Sequence, residues 1–331
     1  MKVLKNSILV AVLFVCSCSS DEPNTLVVYA SADEKIAREV FDAFTEESGI
    51  AVAWVGDSES SKNTGLVTRL RREKSNPIAD VFWSSENIGT IQLAQEDVFA
   101  SLHSPLVDRW PEEHRDAENL WFAFSPRVRV IAYDPAVVKK EELPVYWWEY
   151  TDAVFADPRF GTTGTHFAVM AGFSDKYNQF LRSLHREPLF GGNAATVQAV
   201  IDGTATFAMT DSDDVHAAIA RGASIESFAP RHRAGVGGGT LLIPNTVAVV
   251  KGSKHPAQAR SFVEFMLSDT VATILASSNS KNIPLQQTVA SKFPDLQVDD
   301  PLIVDFVAAA NRRDLVIRDS VQQLKDNRAR N

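Results

Sequence analysis

Two long apolar runs constrain the fold of this 331-residue chain more than any other feature: "LWFAFSPRVRVIAYDP" at residues 120–135 and "GTLLIPNTVAVVKGS" at residues 239–253. Each is long enough to cross a domain as an extended strand, and each borders sequence with its own α/β pattern. Ahead of the first run, "TLVVYA", "IAVAWV" and "ADVFWS" read as strands, alternating with the helical spacing of "DEKIAREVFDAFTEESG", "TGLVTRLRREK" and a stretch from about Asn87. Gly49 is the stop signal of the first of these helices. Between the two runs lie "AVFADP", "ATFAMTD" and "SIESFAP", a second set of strands. Such alternation favours a mostly parallel α/β sheet flanked by helices. After the second run come helical patterns only, "HPAQARSFVEFML", "TVATILASS" and "PLIVDFVAAANRRDLVIRDSVQQLKD". A chain that enters a second α/β body, returns, and finishes on the first builds two lobes joined by a hinge of two crossing strands. The expected boundaries are residues 26–126 with 247–331 for lobe 1 and 127–246 for lobe 2. With 45% hydrophobic residues, a chain of this length fills two cores.

The first residues, "MKVLKNSILVAVLFVCSCSSDEPN", place two lysines before the apolar run Ile8 to Val15. That run is too short to span a bilayer and reads as an export signal. "VCSC" resembles a bacterial lipobox, with Val15 at −3, Ser17 at −1 and Cys18 as the acylated first residue of the mature chain. The expectation is a signal peptide over residues 1–17, a polar linker over 18–25, and a soluble body held by lipid at a bacterial membrane on its periplasmic side. Plain secretion is the alternative. Beyond Cys16 and Cys18 there is no cysteine, so the body carries no disulfide. The formal charge is −9, and loss of Lys2 and Lys5 with the signal takes it to −11. So acidic a chain is no general nucleic-acid binder.

Catalytic motifs are lacking. The sequence has no G-x-S-x-G elbow, no H-E-x-x-H pair and no P-loop lysine, and its seven histidines are scattered. The chemistry concentrates instead at turns. "TDSDD" sets Asp211, Asp213 and Asp214 between an apolar strand and the helical "VHAAIARG". A helix N-terminus needs one capping oxygen, whereas three carboxylates repel one another unless a cation or water relieves them. Either capping or ligand capture accounts for part of the turn, and carboxylates suit hard ions. "RFGTTGTHF" puts Thr163, Gly164 and Thr165 at a strand-to-helix turn, either as an ordinary capped glycine turn or as a cradle for an anion. His166 beside it reads as a packed or capping residue. Asn193 in "GGNAATVQAV" reads as an N-cap, with a ligand contact as its alternative role. Arg127, preferred over Arg129, is placed to meet an anion from the crossing segment. Ser84, Ser85 and Glu86 close a buried strand at the end where open α/β sheets bind ligands, and a serine cap with a first-turn glutamate explains them nearly as well. "GDSESSKNTG" is a candidate polar loop at the same rim, and Trp147 and Trp148 read as packing residues.

Taken in order, "LVVYASADEKIAREVFDAFTEESGIAV", "GLVTRLRREKSNPIADVFWSSE", "SPRVRVIAYDP", "FADPRFGTTGTHFAVMAG", "GNAATVQAVIDGTATFAMTDSDD" and "HPAQARSFVEFMLS" resemble the ferric-iron-binding type of periplasmic solute-binding protein that serves ABC importers, extracellular solute-binding protein family 1. The resemblance runs over almost all of the mature chain. It implies the two-lobed periplasmic-binding-protein fold of type II, closure of the lobes on a ligand, and delivery to an ABC permease and its ATPase. It also places a histidine of such relatives at Asp33, their adjacent ferric-ligand tyrosines at Asp213 and Asp214, their glutamate near Glu86, and their bound anion at the "TTGT" turn. Tyrosinate is therefore absent from the expected positions. The implied metal set here is Asp213, Asp214 and Glu86, within a wider ligand set of Asp33, Ser85, Glu86, Arg127, Thr163, Gly164, Thr165, Asn193, Asp211, Asp213 and Asp214. The expected ligand is a hard metal ion such as Fe(III), with or without a small anion, and no resident cofactor. A small organic solute with an amine and an anionic group is the second reading, and a ligand-sensing lipoprotein the third. The chain is expected to act as a monomer and not as an enzyme.

Overall fold

The computed structural model describes residues 25–57, 64–184 and 189–330. The signal peptide, Cys18 and most of the linker lie outside the described residues, as does the middle of "GDSESSKNTG". Lobe 1 opens with β1 (Thr25–Ala30), α1 (Glu34–Ser48), β2 (Ala51–Gly56), α2 (Thr64–Glu73), β3 (Val81–Ser84) and α3 (Ile88–Gln95). The apolar residues of α1 recur at Ala37, Val40, Phe41 and Phe44, one stripe at helical spacing, and all four are buried. Asp33 caps the helix start by accepting the Lys35 amide at 3.0 Å. Gly49 ends it with a left-handed φ of 70°, a conformation that costs glycine nothing.

The first apolar run becomes β4 (Phe122–Tyr133), after which lobe 2 holds β5 (Val154–Ala156), α4 (Gly161–Met170), α5 (Ser174–Ser183), β6 (Leu189–Phe190), α6 (Asn193–Ile201), β7 (Phe207–Asp211), α7 (Ser212–Ala220) and β8 (Glu226–Phe228). The second run becomes β9 (Leu242–Val249), followed by α8 (Pro256–Met266), α9 (Asp269–Ser277), α10 (Gln287–Ala290) and α11 (Phe306–Arg330). The strands form one continuous path, β2-β1-β3-β9-β4-β7-β5-β6, with β8 beside β4. Within each lobe the pairs β1/β2, β1/β3, β5/β6 and β5/β7 are parallel. The crossing strands β4 and β9 are antiparallel to each other. β4 serves both lobes: up to Val128 it pairs with β9, and from Arg129 to Tyr133 with β7. The β4/β9 register shifts between Phe124 and Arg127, and Ser125 there takes a φ of 38°. This bulge redirects the strand at the junction of the lobes.

One expectation is corrected. The segment 247–331 does not belong to lobe 1 alone. Ala309 and Ala310 of α11 pack with Leu66, Ile91 and Phe99 of lobe 1, while Ile317 and Leu324 fill the lobe 2 core beside Trp147, Phe155 and Phe180. The helix starts at Phe306 rather than Pro301, because Pro301 bridges Thr240 and the Leu302 and Ile303 amides donate to the Thr240 and Gly237 carbonyls instead of entering a helix.

Candidate functional site

A cleft of about 510 Å³ opens between the lobes. Lobe 2 contributes the starts of α4, α6 and α7; lobe 1 contributes the β1-to-α1 turn and the end of β3; Arg127 and Asn245 of the crossing strands form its floor. Strand ends and helix starts meet here because each strand of an α/β unit runs toward the turn that opens its following helix.

Asp211 ends β7 and occupies the N-cap position of α7, yet its side chain makes no capping bond. It turns inward and accepts from Arg129 Nη1 at 2.9 Å, Thr162 Oγ1 at 2.6 Å, Asn193 Nδ2 at 2.9 Å and Arg127 Nε at 3.3 Å. Burial pushes this carboxyl up, but the charges of Arg129 and Arg127 together with the Thr162 hydrogen bond outweigh burial and hold it below the usual carboxylate range. Ser212 Oγ accepts the Val128 amide at 3.1 Å, tying α7 to the crossing strand.

Asp213 and Asp214 follow within the first turn of α7, and both line the cleft. Arg127 Nε lies 3.4 Å from Asp213, so one guanidinium serves two carboxylates. Its other end donates to the Ser85 carbonyl of lobe 1. Burial lowers the affinity of Arg127 for its proton, but Asp213, Asp211 and Asp214 more than restore it. One carboxylate oxygen from each of Asp211, Asp213 and Asp214 falls within 4.8 Å of the other two, a separation that one hard cation bridges.

The remaining expected residues divide. Asp33 and Ser85 line the cleft, with Ser85 joined to Ser31 at 3.1 Å between hydroxyls. Thr163 and Asn193 line it too. Asn193 is the first helical residue rather than the N-cap, which is Gly192; its amide bridges Thr162 and Asp211 and accepts from Thr163 at 3.3 Å. Glu86 lies behind the cleft. Its carboxylate accepts the Ile88 and Gly89 amides at 2.7 and 2.9 Å and the Thr165 hydroxyl at 2.7 Å, which commits both oxygens to capping α3 and gripping α4. The expected metal role of Glu86 and ligand role of Thr165 are corrected accordingly. Gly164 is not among the residues that line the cleft either, and a Cβ there would meet the Pro158 carbonyl at 2.6 Å.

His166 is packed, as its neighbours suggested, but within a relay. Gly239 offers only a carbonyl to His232 Nδ1 at 2.9 Å, so that nitrogen carries the hydrogen and His232 Nε2 accepts from His166 Nε2 at 2.9 Å. His166 Nδ1 then accepts from Arg129 Nε at 3.3 Å. Both imidazoles are neutral: burial, then the charge of Arg129, holds His166 well below the usual histidine range. Burial with the weaker push of Arg129 takes His232 to about 4 against the Gly239 hydrogen bond.

Sequence reasoning missed the lobe 1 loop after α9, where Ser278, Ser280 and Asn282 line the cleft, and it missed Lys35, Asp157 and Arg221. The run "SSNSKN" ahead of a proline is a turn signal that points to the loop. None of the chain's five tyrosines lines the cleft. Tyr29, Tyr133, Tyr150 and Tyr177 are buried, and Tyr146 stacks on Trp148 with centroids 4.6 Å apart.

Two lobes, two antiparallel crossing strands and a polar cleft at their junction define a type II periplasmic binding protein. The chain belongs to the bacterial extracellular solute-binding proteins, whose family model matches residues 29–273. It is 27% identical over 308 residues to iron uptake protein A1 of Synechocystis, covering 82% of this chain and 80% of that one. Iron-bound HitA from Pseudomonas aeruginosa superposes with a TM-score of 0.77 at 22% identity, covering 89% and 99% of the two chains. AfuA from Actinobacillus pleuropneumoniae with bound fructose-6-phosphate gives 0.76 at 20% identity, over 91% and 98%.

Proposed function

We propose that this chain is the substrate-binding protein of an ABC importer, held at the periplasmic side of a membrane by lipid on Cys18, and that it captures a hard metal ion, iron(III) foremost, in its interlobe cleft. The three clustered carboxylates of Asp211, Asp213 and Asp214 carry the reading. Iron names among its relatives support it. Asp213 and Asp214 are the proposed direct ligands, with Asp33, Ser85, Arg127, Thr163 and Asn193 on the surrounding wall. Two carboxylates in place of phenolates suit a hard cation but lower the preference for Fe(III) over Ca(II), Mg(II) or Mn(II). Elemental analysis of protein as purified, followed by calorimetric titration of these four ions, tests the proposal. The expected result is one bound ion per chain, with Asp213→Asn or Asp214→Asn weakening it by about tenfold or more, as expected when a charged contact is removed. Wild-type affinity in both single variants and in the double variant would refute it.

A second reading, a small organic solute with amine and anionic groups, is favoured by cleft size. The roughly 510 Å³ is the volume of a small-molecule pocket rather than of an ion. A thermal-shift screen of amino acids, amines and sugar phosphates separates the two readings.

A further inference from the structure

We infer that Asp211 is a built-in anion: its carboxylate fills the place between the starts of α4 and α6 that a free anion would take, so the cleft captures its cation without a companion anion. Four donors converge there from three elements: Arg127 and Arg129 on β4, Thr162 on α4, and Asn193 on α6. Two guanidinium groups, a hydroxyl and an amide are a complete set for an oxyanion. Each is already directed at a carboxylate oxygen at 3.3 Å or less. Asn193 is held in that orientation from its other side, because its carbonyl oxygen accepts the Thr163 hydroxyl. Arg129 is likewise fixed by its bond to His166.

Charge leads the same way. Asp211 at the centre and Asp213 and Asp214 beside it leave the two arginines outnumbered, so a phosphate or carboxylate entering the cleft meets a local excess of negative charge. A cation meets that excess as attraction. The net single negative charge of these five groups remains for the incoming ion, with Asp213 and Asp214 facing it. In this arrangement Asp211 sets the charge selectivity of the cleft while Asp213 and Asp214 make contact.

This rests on the cation reading above, but the anion half is read without any metal. Inorganic phosphate and citrate are titrated separately into apo protein, by calorimetry and by phosphorus NMR line width. Wild type is expected to bind neither. Asp211→Asn, which keeps the shape and removes the charge, leaves two buried guanidinium groups with one carboxylate fewer and is expected to bind phosphate at least about tenfold more tightly than wild type. With the metal found by elemental analysis, wild-type affinity is expected to stay the same with or without phosphate. Saturable phosphate or citrate binding to the wild-type cleft, displaced by nothing but anions and weakened by Thr162→Val, would overturn the inference. So would a metal affinity that rises tenfold when phosphate is added. Should Asp211→Asn fail to fold, the wild-type titrations decide alone. Failure of every metal to bind refutes the proposed function and leaves the anion result standing.

Discussion

Acid should loosen this protein through one buried imidazole. His232 donates to Gly239, accepts from His166, and is almost completely shielded from water. A proton added to it would sit in low dielectric with Arg129 two bonds along the relay. Its folded value of about 4 lies below the ordinary value near 6.5 of an unfolded chain. A depressed folded value means stability that is fully present above about pH 6.5 and lost as the pH falls toward the folded value. Between about pH 7 and about pH 5 the linkage relation gives a loss of ~2 kcal/mol from His232 alone. His166, shifted the same way, adds to it. The assay is urea unfolding followed by tryptophan fluorescence at several pH values. His232→Gln keeps an amide donor and acceptor but cannot titrate, so its stability should fall by ~2 kcal/mol less than that of wild type over the same range. Equal pH slopes for wild type, His232→Gln and His166→Gln would refute the neutral relay.

Three further outcomes are expected. Arg129→Met leaves Asp211 buried with Arg127 as its single cationic partner and should cost about 3–5 kcal/mol in urea unfolding at neutral pH, the usual loss when one partner of a buried pair is removed; a loss under about 1 kcal/mol would contradict the described network. Small-angle scattering should show a smaller radius of gyration with bound ligand than without, as the lobes close about β4 and β9; identical profiles with a ligand proven to bind would exclude a hinge. Cys18→Ser should move the protein from the membrane to the soluble fraction, and a wild type already soluble, with a mature N-terminus other than residue 18, would refute lipid anchoring.

The fold was legible where its signals are local. The stripe of Ala37, Val40, Phe41 and Phe44, the stop at Gly49 and the two crossing runs each lie within a few residues of sequence, and each forms the element expected. The site was legible as a place, since "TDSDD" lines the cleft, but not as a division of labour. Which aspartate is turned inward depends on Arg127 and Arg129, more than 80 residues earlier in the chain, and no spacing rule carries that information. Glu86 was misread for a similar reason. Its capping role over α3 is local, but Thr165, which draws on the same carboxylate, arrives from the other lobe. The periodicity of α11 predicted a helix without showing which core each of its turns would enter.

That last helix has a thermodynamic consequence. At a rise of about 1.5 Å per residue, the 25 residues of α11 reach roughly 38 Å, the length of a small domain. Ala309 lies in one core and Ile317 in the other, on a single hydrogen-bonded rod that cannot fray in its middle without exposing both. Melting of either lobe strips apolar cover from its neighbour, which couples two bodies that would otherwise come apart in succession. Heating should therefore give one calorimetric peak with van't Hoff and calorimetric enthalpies in agreement.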